Sequence, residues 1–204
     1  QHILDNLIAT GKAKPMVVVM TNGNPNCQAA PGEWSAGQYI PSFYGYQGAK
    51  PAATMDESFP DVMNYVENHY KVAKDKAHRA ICGLSMGGGH SFDISRRFPT
   101  KFDYIGLFSA GLHVSTTGDF RNDFYKQLQG NEEAKTQLAT LFKNKPKLYW
   151  IGMGKTDFLY KSSADLRRYF DEKGYKYTYL ETEGGHIWRN WRVYLTEFAQ
   201  KIFK

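Results

Sequence analysis

The sequence is poor in cysteine and has no long apolar run. Its 204 residues include two cysteines, Cys27 and Cys82, too few for a disulfide framework, although a single bridge between them stays open. The longest apolar run, Met16–Met20, is far shorter than the roughly 20 residues that cross a membrane. The sequence contains no H-E-x-x-H motif, no paired cysteines and no calcium-loop spacing of carboxylates. We therefore expect no membrane partner, no metal and no cofactor.

Basic residues outnumber acidic ones, 26 to 20, and the formal net charge is +6. Such a balance can accompany binding to nucleic acid. Here the basic residues are scattered, with no run longer than Arg96-Arg97 or Arg167-Arg168, and no nucleic-acid motif accompanies them. We therefore expect no nucleic-acid partner. The length and the 42% hydrophobic content are typical of one globular domain, which we take to span residues 1–204.

Helical and strand patterns alternate along the chain. Helices are predicted over His2–Thr10, Glu57–Tyr70, Met86–Phe98, Tyr160–Lys173 and Trp191–Phe203, with two short ones within Asp119–Phe142. Strands are predicted over Met16–Met20, Arg79–Leu84, Tyr104–Phe108, Lys147–Gly152 and Lys176–Leu180. Strands separated by helices predict an α/β fold with a mostly parallel sheet covered on both faces. A long predicted loop, Thr21–Pro51, is of a length that is commonly functional.

The segment Gly83–Gly87 matches G-x-S-x-G, with Ser85 at its centre. This motif forms a sharp strand-to-helix turn that exposes the serine hydroxyl at the end of a sheet and at a helix N-terminus. We expect side chains in place of its glycines to collide with the neighbouring strand. Gly88 and Gly89 would allow close packing of helix on sheet. The alternative is a tight turn without chemistry.

A serine hydroxyl needs a base to take its proton, and His186 is the best candidate. It lies in a glycine-rich turn, Glu183–His186, directly after the last predicted strand. Such a turn lets an imidazole fold back over the end of the sheet. His113, which follows another strand end, is the main rival.

The imidazole in turn needs an acidic partner to fix its tautomer, and Asp157 is the candidate. It follows Ser85 by about 70 residues and precedes His186 by about 30, in the Ser–Asp–His chain order of α/β hydrolases. Glu183 and Asp165 are the alternatives. An oxyanion hole needs two donors; the backbone N–H of Met86 is one.

Several segments together resemble carbohydrate esterase family one, which includes feruloyl esterases and acetyl xylan esterases and is related to esterase D. They are Met20–Gly23, Ser58–Glu67, Gly83–Gly88, Phe108–Ala110, Gly154–Leu159 and Gly184–Trp188. The resemblance runs over nearly the whole chain and implies an α/β-hydrolase fold. It also implies hydrolysis of ester decorations on plant cell-wall xylan, by a secreted or periplasmic enzyme.

The resemblance departs from the family scheme at the N-terminus. Counting strands back from the serine makes Met16–Met20 the fourth strand, so that strands one to three would precede Gln1. We therefore expect a preceding segment of the same gene product, or a second chain, to supply the missing central strand. The same segment would supply the second oxyanion donor.

The substrate would be a feruloylated or acetylated oligosaccharide derived from xylan. Trp34 and Tyr44 in the long loop, and Trp188 beside the histidine, are candidate substrate contacts, because sugars and cinnamoyl rings stack on aromatic side chains. The enzyme alternative is a thioesterase acting on S-formylglutathione. The non-enzyme alternative is a silent carbohydrate-binding relative.

Overall fold

The computed structural model describes residues 1–21, 23, 54–114 and 123–204. These residues form two units, Gln1–Met16 with Ala73–Lys204, and Val17–Val72. Three residues of interest, Cys27, Trp34 and Tyr44, lie outside the described residues. The assignment of residues 1–204 to one domain stays a prediction. Within the described ranges, no helix combines the length and apolar character that crossing a membrane requires.

The larger unit is built on a parallel sheet. Its strands are β1 (Ala80–Leu84), β2 (Tyr104–Phe108), β3 (Leu148–Gly154) and β4 (Thr178–Thr182), in the order β1-β2-β3-β4. Every neighbouring pair is parallel. The helices of the described chain are α1 (His2–Ala9), α2 (Met55–His69), α3 (Met86–Arg97), α4 (Phe124–Gln129), α5 (Glu132–Lys143), α6 (Tyr160–Lys173) and α7 (Trp188–Ala199). The α/β class and the parallel sheet are as predicted.

Alternate residues of the strands face opposite helical layers. On one face, Phe108 and Trp150 contact each other edge to face, with ring centroids 5.3 Å apart, and pack against Tyr194 of α7. On the other face, Tyr149 packs edge to face on Phe170 of α6. Helix α3 lies against β1 and β2, and α1 lies against α7. The sheet is therefore covered on both sides, as its two-faced apolar pattern requires.

In the smaller unit, α2 begins at Met55, two residues before the predicted start. Thr54 and Glu57 form a capping box: the Thr54 N–H donates to Glu57 Oε2 at 3.0 Å, and the Glu57 N–H donates to Thr54 Oγ1 at 3.3 Å. This exchange satisfies two backbone donors that a helix start otherwise leaves unpaired. The cap, and not the apolar periodicity, sets the first residue.

The predicted strand Met16–Met20 does not form. Val17, Val18 and Val19 are about half exposed, and Met20 is 89% exposed. A β-strand is stabilised by ladder hydrogen bonds to a neighbour, and no described residue provides such a ladder for this segment. The β-branched run has the local preference for a strand but lacks the partner.

The Cys82 side chain is exposed. It lies on β1, which has β2 as its one paired neighbour among the described residues.

Candidate active site

Ser85 occupies a strained turn between β1 and α3. Its φ of 54° lies in the left-handed region, which residues other than glycine rarely adopt. The turn is held from β2, since the Ser85 N–H donates to the Phe108 carbonyl at 2.9 Å. The N–H of Gly111 donates to the Ser85 carbonyl at 2.8 Å. Such a strained backbone persists only where the surrounding contacts hold it in place, and it is typical of functional sites.

The glycines around Ser85 have different roles. A Cβ on Gly83 would lie 2.2 Å from the Gly87 carbonyl oxygen, so the collision is with the turn itself and not with a neighbouring strand. A Cβ on Gly87 would meet nothing within 4 Å, so the expected collision there is wrong. Cβ atoms on Gly88 and Gly89 would lie 2.7 and 2.4 Å from the segment after β2. These two glycines therefore do allow close packing of α3 on the sheet.

Ser85, His186 and Asp157 lie together at the carboxyl end of the sheet. His186 Nε2 is 2.9 Å from Ser85 Oγ. His186 Nδ1 is 3.1 and 3.0 Å from the two carboxylate oxygens of Asp157. Because a carboxylate only accepts, the Nδ1–H donates to Asp157, and Nε2 is left to accept from the serine hydroxyl. The two partners therefore occupy opposite nitrogens of one imidazole.

Asp157 is held in place by contacts other than the one with the imidazole. Its side chain is fully buried, and its Oδ1 accepts a hydrogen bond from the Leu159 N–H at 2.9 Å. Nearby, burial raises the pKa of the Tyr194 phenol, and the negative charge of Asp157 acts in the same direction. A buried carboxylate of this kind is satisfied by its paired imidazole and a backbone donor.

The residues considered as alternative acid or base make other contacts or lie elsewhere. Glu183 pairs with Lys155, whose pKa is raised by this carboxylate. Asp165 pairs with Lys161 on α6 at 3.0 Å. His113 is exposed in the segment after β2, and it is His186 that contacts Ser85.

The loops that carry Asp157 and His186 are joined by backbone hydrogen bonds. The Lys155 N–H donates to the Thr182 carbonyl at 2.9 Å, continuing the β3–β4 ladder. The Thr156 N–H donates to the Gly184 carbonyl at 3.1 Å. These bonds place the turn before Asp157 directly against the turn before His186.

Met86 is the first residue of α3, so its backbone N–H has no acceptor four residues back in the helix. This N–H also lies at the positive end of the helix dipole. It is therefore available for developing negative charge beside Ser85. The second oxyanion donor stays a prediction.

Two aromatic side chains contact the imidazole. The Phe158 and His186 ring centroids are 4.7 Å apart, and Trp191 meets the imidazole edge to face at 4.9 Å. Trp188 packs edge to face on Trp191 and is 64% exposed. The sequence indicates Trp188 as a site residue but does not indicate Phe158 or Trp191. Adjacency to Asp157 could have indicated Phe158, but the orientation of Trp191 needed the packing of α7.

The arrangement defines an α/β-hydrolase-type fold with a serine, a histidine and a carboxylate in hydrogen-bonding sequence. The family model described as "Putative esterase" matches residues 1–202. The chain therefore belongs to this esterase family, a family of carboxylic ester hydrolases.

Two curated relatives are similar in sequence. An endo-1,4-beta-xylanase/feruloyl esterase from Xylanibacter ruminicola is 31% identical over 99% of this chain. An acetyl esterase from Caldicellulosiruptor saccharolyticus is 25% identical over 71% of it. The chain spans 23% of the first relative's length and 61% of the second's.

Solved structures share the fold. A ferulic acid esterase superposes with a TM-score of 0.70 at 22% identity, covering 98% of this chain and 74% of its own. An S-formylglutathione hydrolase from Staphylococcus aureus superposes with a TM-score of 0.62 at 19% identity, covering 78% of this chain and 67% of its own. The α/β-hydrolase fold expected from the sequence is thereby confirmed.

Proposed function

We propose that this chain hydrolyses feruloyl or acetyl ester decorations of plant cell-wall xylan, with Ser85 as nucleophile, His186 as base and Asp157 as its orienting acid. The observation that carries the proposal is the continuous hydrogen-bonding sequence from Ser85 Oγ through both imidazole nitrogens to Asp157. Ser85 lies at a strained strand–helix turn, and its hydroxyl donates to the unprotonated nitrogen of the imidazole. This arrangement suits nucleophilic attack by the serine.

The reaction proceeds through an acyl-enzyme. His186 Nε2 accepts the hydroxyl proton as Ser85 Oγ bonds to the ester carbonyl carbon, and Asp157 stabilises the imidazolium. The Met86 N–H donates to the resulting oxyanion. The imidazolium then protonates the leaving alcohol as the ester C–O bond breaks. Water, deprotonated by the same nitrogen, attacks the acyl-enzyme, and Ser85 recovers its proton as the acid leaves.

Two observations support the substrate class. The relative at 31% identity is named as a xylanase and feruloyl esterase. The half-exposed Phe158 contacts the His186 ring, and the exposed Trp188 packs on Trp191, which also contacts that ring. An aryl acyl group or a sugar ring can stack on these side chains. The acetyl alternative is retained because the second relative is named as an acetyl esterase.

The test is a substrate panel on the purified protein: methyl ferulate, acetylated xylan and S-formylglutathione, each with a Ser85→Ala control. The proposal expects serine-dependent release of ferulate or acetate. Hydrolysis confined to S-formylglutathione would replace it with the thioesterase alternative. No turnover of any ester, with retained binding to xylan, would favour the silent carbohydrate-binding alternative.

A polymeric wall substrate lies outside the cell, so we place the enzyme in the extracellular or periplasmic space. Fractionation of producing cells, with ester hydrolysis measured in each fraction, tests this placement. Activity confined to the cytoplasmic fraction would contradict it.

A further inference from the structure

We propose that Asn190 is a positioning residue for His186, acting through the turn that carries the imidazole. The inference rests on the proposed function and extends it to a residue that does not touch the reacting atoms. Asn190 lies in the first turn of α7 and is 2% exposed. Its Nδ2 donates to the Gly185 carbonyl at 3.0 Å. A buried amide is therefore directed at the residue that precedes the base.

The carbonyls before His186 are restrained from two directions. Gly184 O accepts from the Thr156 N–H at 3.1 Å, which ties the turn to the Asp157 loop. Gly185 O accepts from the Ile187 N–H at 2.9 Å as well as from Asn190. A carbonyl oxygen has two lone pairs, and here both are used. Among the described residues, the Asn190 bond is the side-chain hydrogen bond that joins this turn to α7.

The turn needs such a restraint because its backbone is glycine-rich. Gly184 has a φ of 82°, and no side chain of its own fixes the path of the chain. The imidazole must keep two hydrogen bonds at once, one to Ser85 and one to Asp157. A displacement of about 1 Å at a reacting group can cost roughly 10²-fold in rate. Asn190 therefore fixes the base where local sequence leaves it free.

Close packing around the Asn190 amide leaves it little room to move. A Cβ built on Gly154, at the end of β3, would lie 2.8 Å from Asn190 Nδ2. The amide thus occupies the space between the end of β3 and the turn after β4. An aspartate has the same shape but presents an oxygen to the Gly185 carbonyl, so Asn190→Asp replaces attraction with repulsion between two acceptors.

The experiment compares Asn190→Ala and Asn190→Asp with the wild-type chain, in p-nitrophenyl acetate hydrolysis and in the ¹H NMR resonance of the proton between His186 and Asp157. We expect kcat to fall roughly 10- to 100-fold with KM changed less than about twofold, because positioning and not binding is lost. We also expect the shared proton's low-field resonance to weaken or shift. Rates are compared at a temperature where circular dichroism shows each variant folded, and Asn190→Ser replaces any variant that does not fold.

Asn144→Asp is the matched control. Its amide also donates to a backbone carbonyl, that of Thr140 at 2.8 Å, but it precedes β3 at the opposite end of the sheet. It should keep wild-type kcat and resonance. A folded Asn190 variant with wild-type kcat, or one whose loss is entirely in KM, would overturn the positioning role. Failure of the proposed function is distinguishable, because it would appear in the substrate panel as turnover confined to S-formylglutathione or as no ester turnover, whatever the Asn190 variants do to kcat on p-nitrophenyl acetate.

Discussion

Gly154 and Gly184 pack backbone against backbone: a Cβ on Gly154 would lie 2.3 Å from the Gly184 carbonyl oxygen. Gly154 ends β3, three residues before Asp157, and Gly184 lies two residues before His186. The two loops therefore approach more closely than any side chain permits. This contact sets the separation between the acid and the imidazole.

Gly154→Ala should both destabilise the fold and slow the reaction. Forcing a methyl group into a filled site typically costs about 1–3 kcal/mol, and parting the loops displaces Asp157 from His186. We expect a lower Tm by calorimetry and a kcat reduced by roughly 10²-fold. Gly130→Ala is the control, since its Cβ would meet its nearest atom at 3.4 Å. Wild-type Tm and rate in Gly154→Ala would show that the loops can separate without consequence.

The two glycines of the G-x-S-x-G motif should respond in opposite ways to alanine. Gly83→Ala places a Cβ 2.2 Å from a backbone oxygen and should lower the free energy of unfolding in urea. Gly87→Ala meets open space inside α3, where alanine is favoured over glycine by roughly 0.5–1 kcal/mol. Its free energy of unfolding should match or exceed that of the wild type. Equal losses at both positions would contradict the different surroundings of the two glycines.

Ser85→Ala should abolish ester hydrolysis while leaving the fold intact. Removal of a triad nucleophile typically costs on the order of 10⁴-fold or more in kcat. The measurement is p-nitrophenyl acetate turnover, with circular dichroism as the check on folding. Retention of more than about a tenth of the activity would place the nucleophile elsewhere.

Phe158→Ala and Trp188→Ala should raise KM for aryl esters more than for acetate esters. Phe158 contacts His186, and Trp188 packs on Trp191, which also contacts His186. Both side chains are exposed and offer ring surface to an aryl group but little to a methyl group. Methyl ferulate and an alkyl acetate are compared on each variant. Trp34→Ala and Tyr44→Ala test the same expectation for the long loop. Equal KM changes on both substrates would point to a packing role.

Glu181 should contribute a pH-dependent part of the stability. The hydroxyl of Tyr160, and then that of Tyr179, hold the pKa of Glu181 below its ordinary value of 4.5. This stabilisation is present above the ordinary value and is lost as pH falls through the folded-state pKa. Between pH 6 and pH 3, Tm should therefore fall more steeply for the wild type than for Glu181→Gln.

Replacing the two hydroxyl donors, with Tyr160→Phe and Tyr179→Phe together, should flatten the Tm profile in the same way while keeping the carboxylate. Parallel profiles for the wild type and all variants would show that these hydrogen bonds do not favour the ionised carboxylate.

Much of the fold was predictable because it depends on local patterns. The apolar periodicity of α6 and the β2 segment Tyr104–Phe108 match the structure residue for residue. Gly174, with a φ of 67°, ends α6 as its position predicts. Helix α7 begins and ends earlier than predicted, since its boundaries depend on the turn that carries His186.

The candidate site was predictable in its residues, with Asp157 as the expected partner of His186 and Glu183 as an open alternative. The glycine spacing around Ser85 and the order Ser85, Asp157, His186 can be seen directly in the amino-acid sequence. The pairing of Asp157 and not Glu183 with the imidazole depends on loops that meet only because parallel strands end at one edge.

Three features depend on long-range packing, for which local pattern carries no information. The strand Met16–Met20 needs a neighbour with which to form a ladder, and none lies among the described residues. The open space at Gly87 depends on what surrounds α3. The amide of Asn190 reaches Gly185 because α7 folds back against the end of β3, which places a residue of the following helix behind the base.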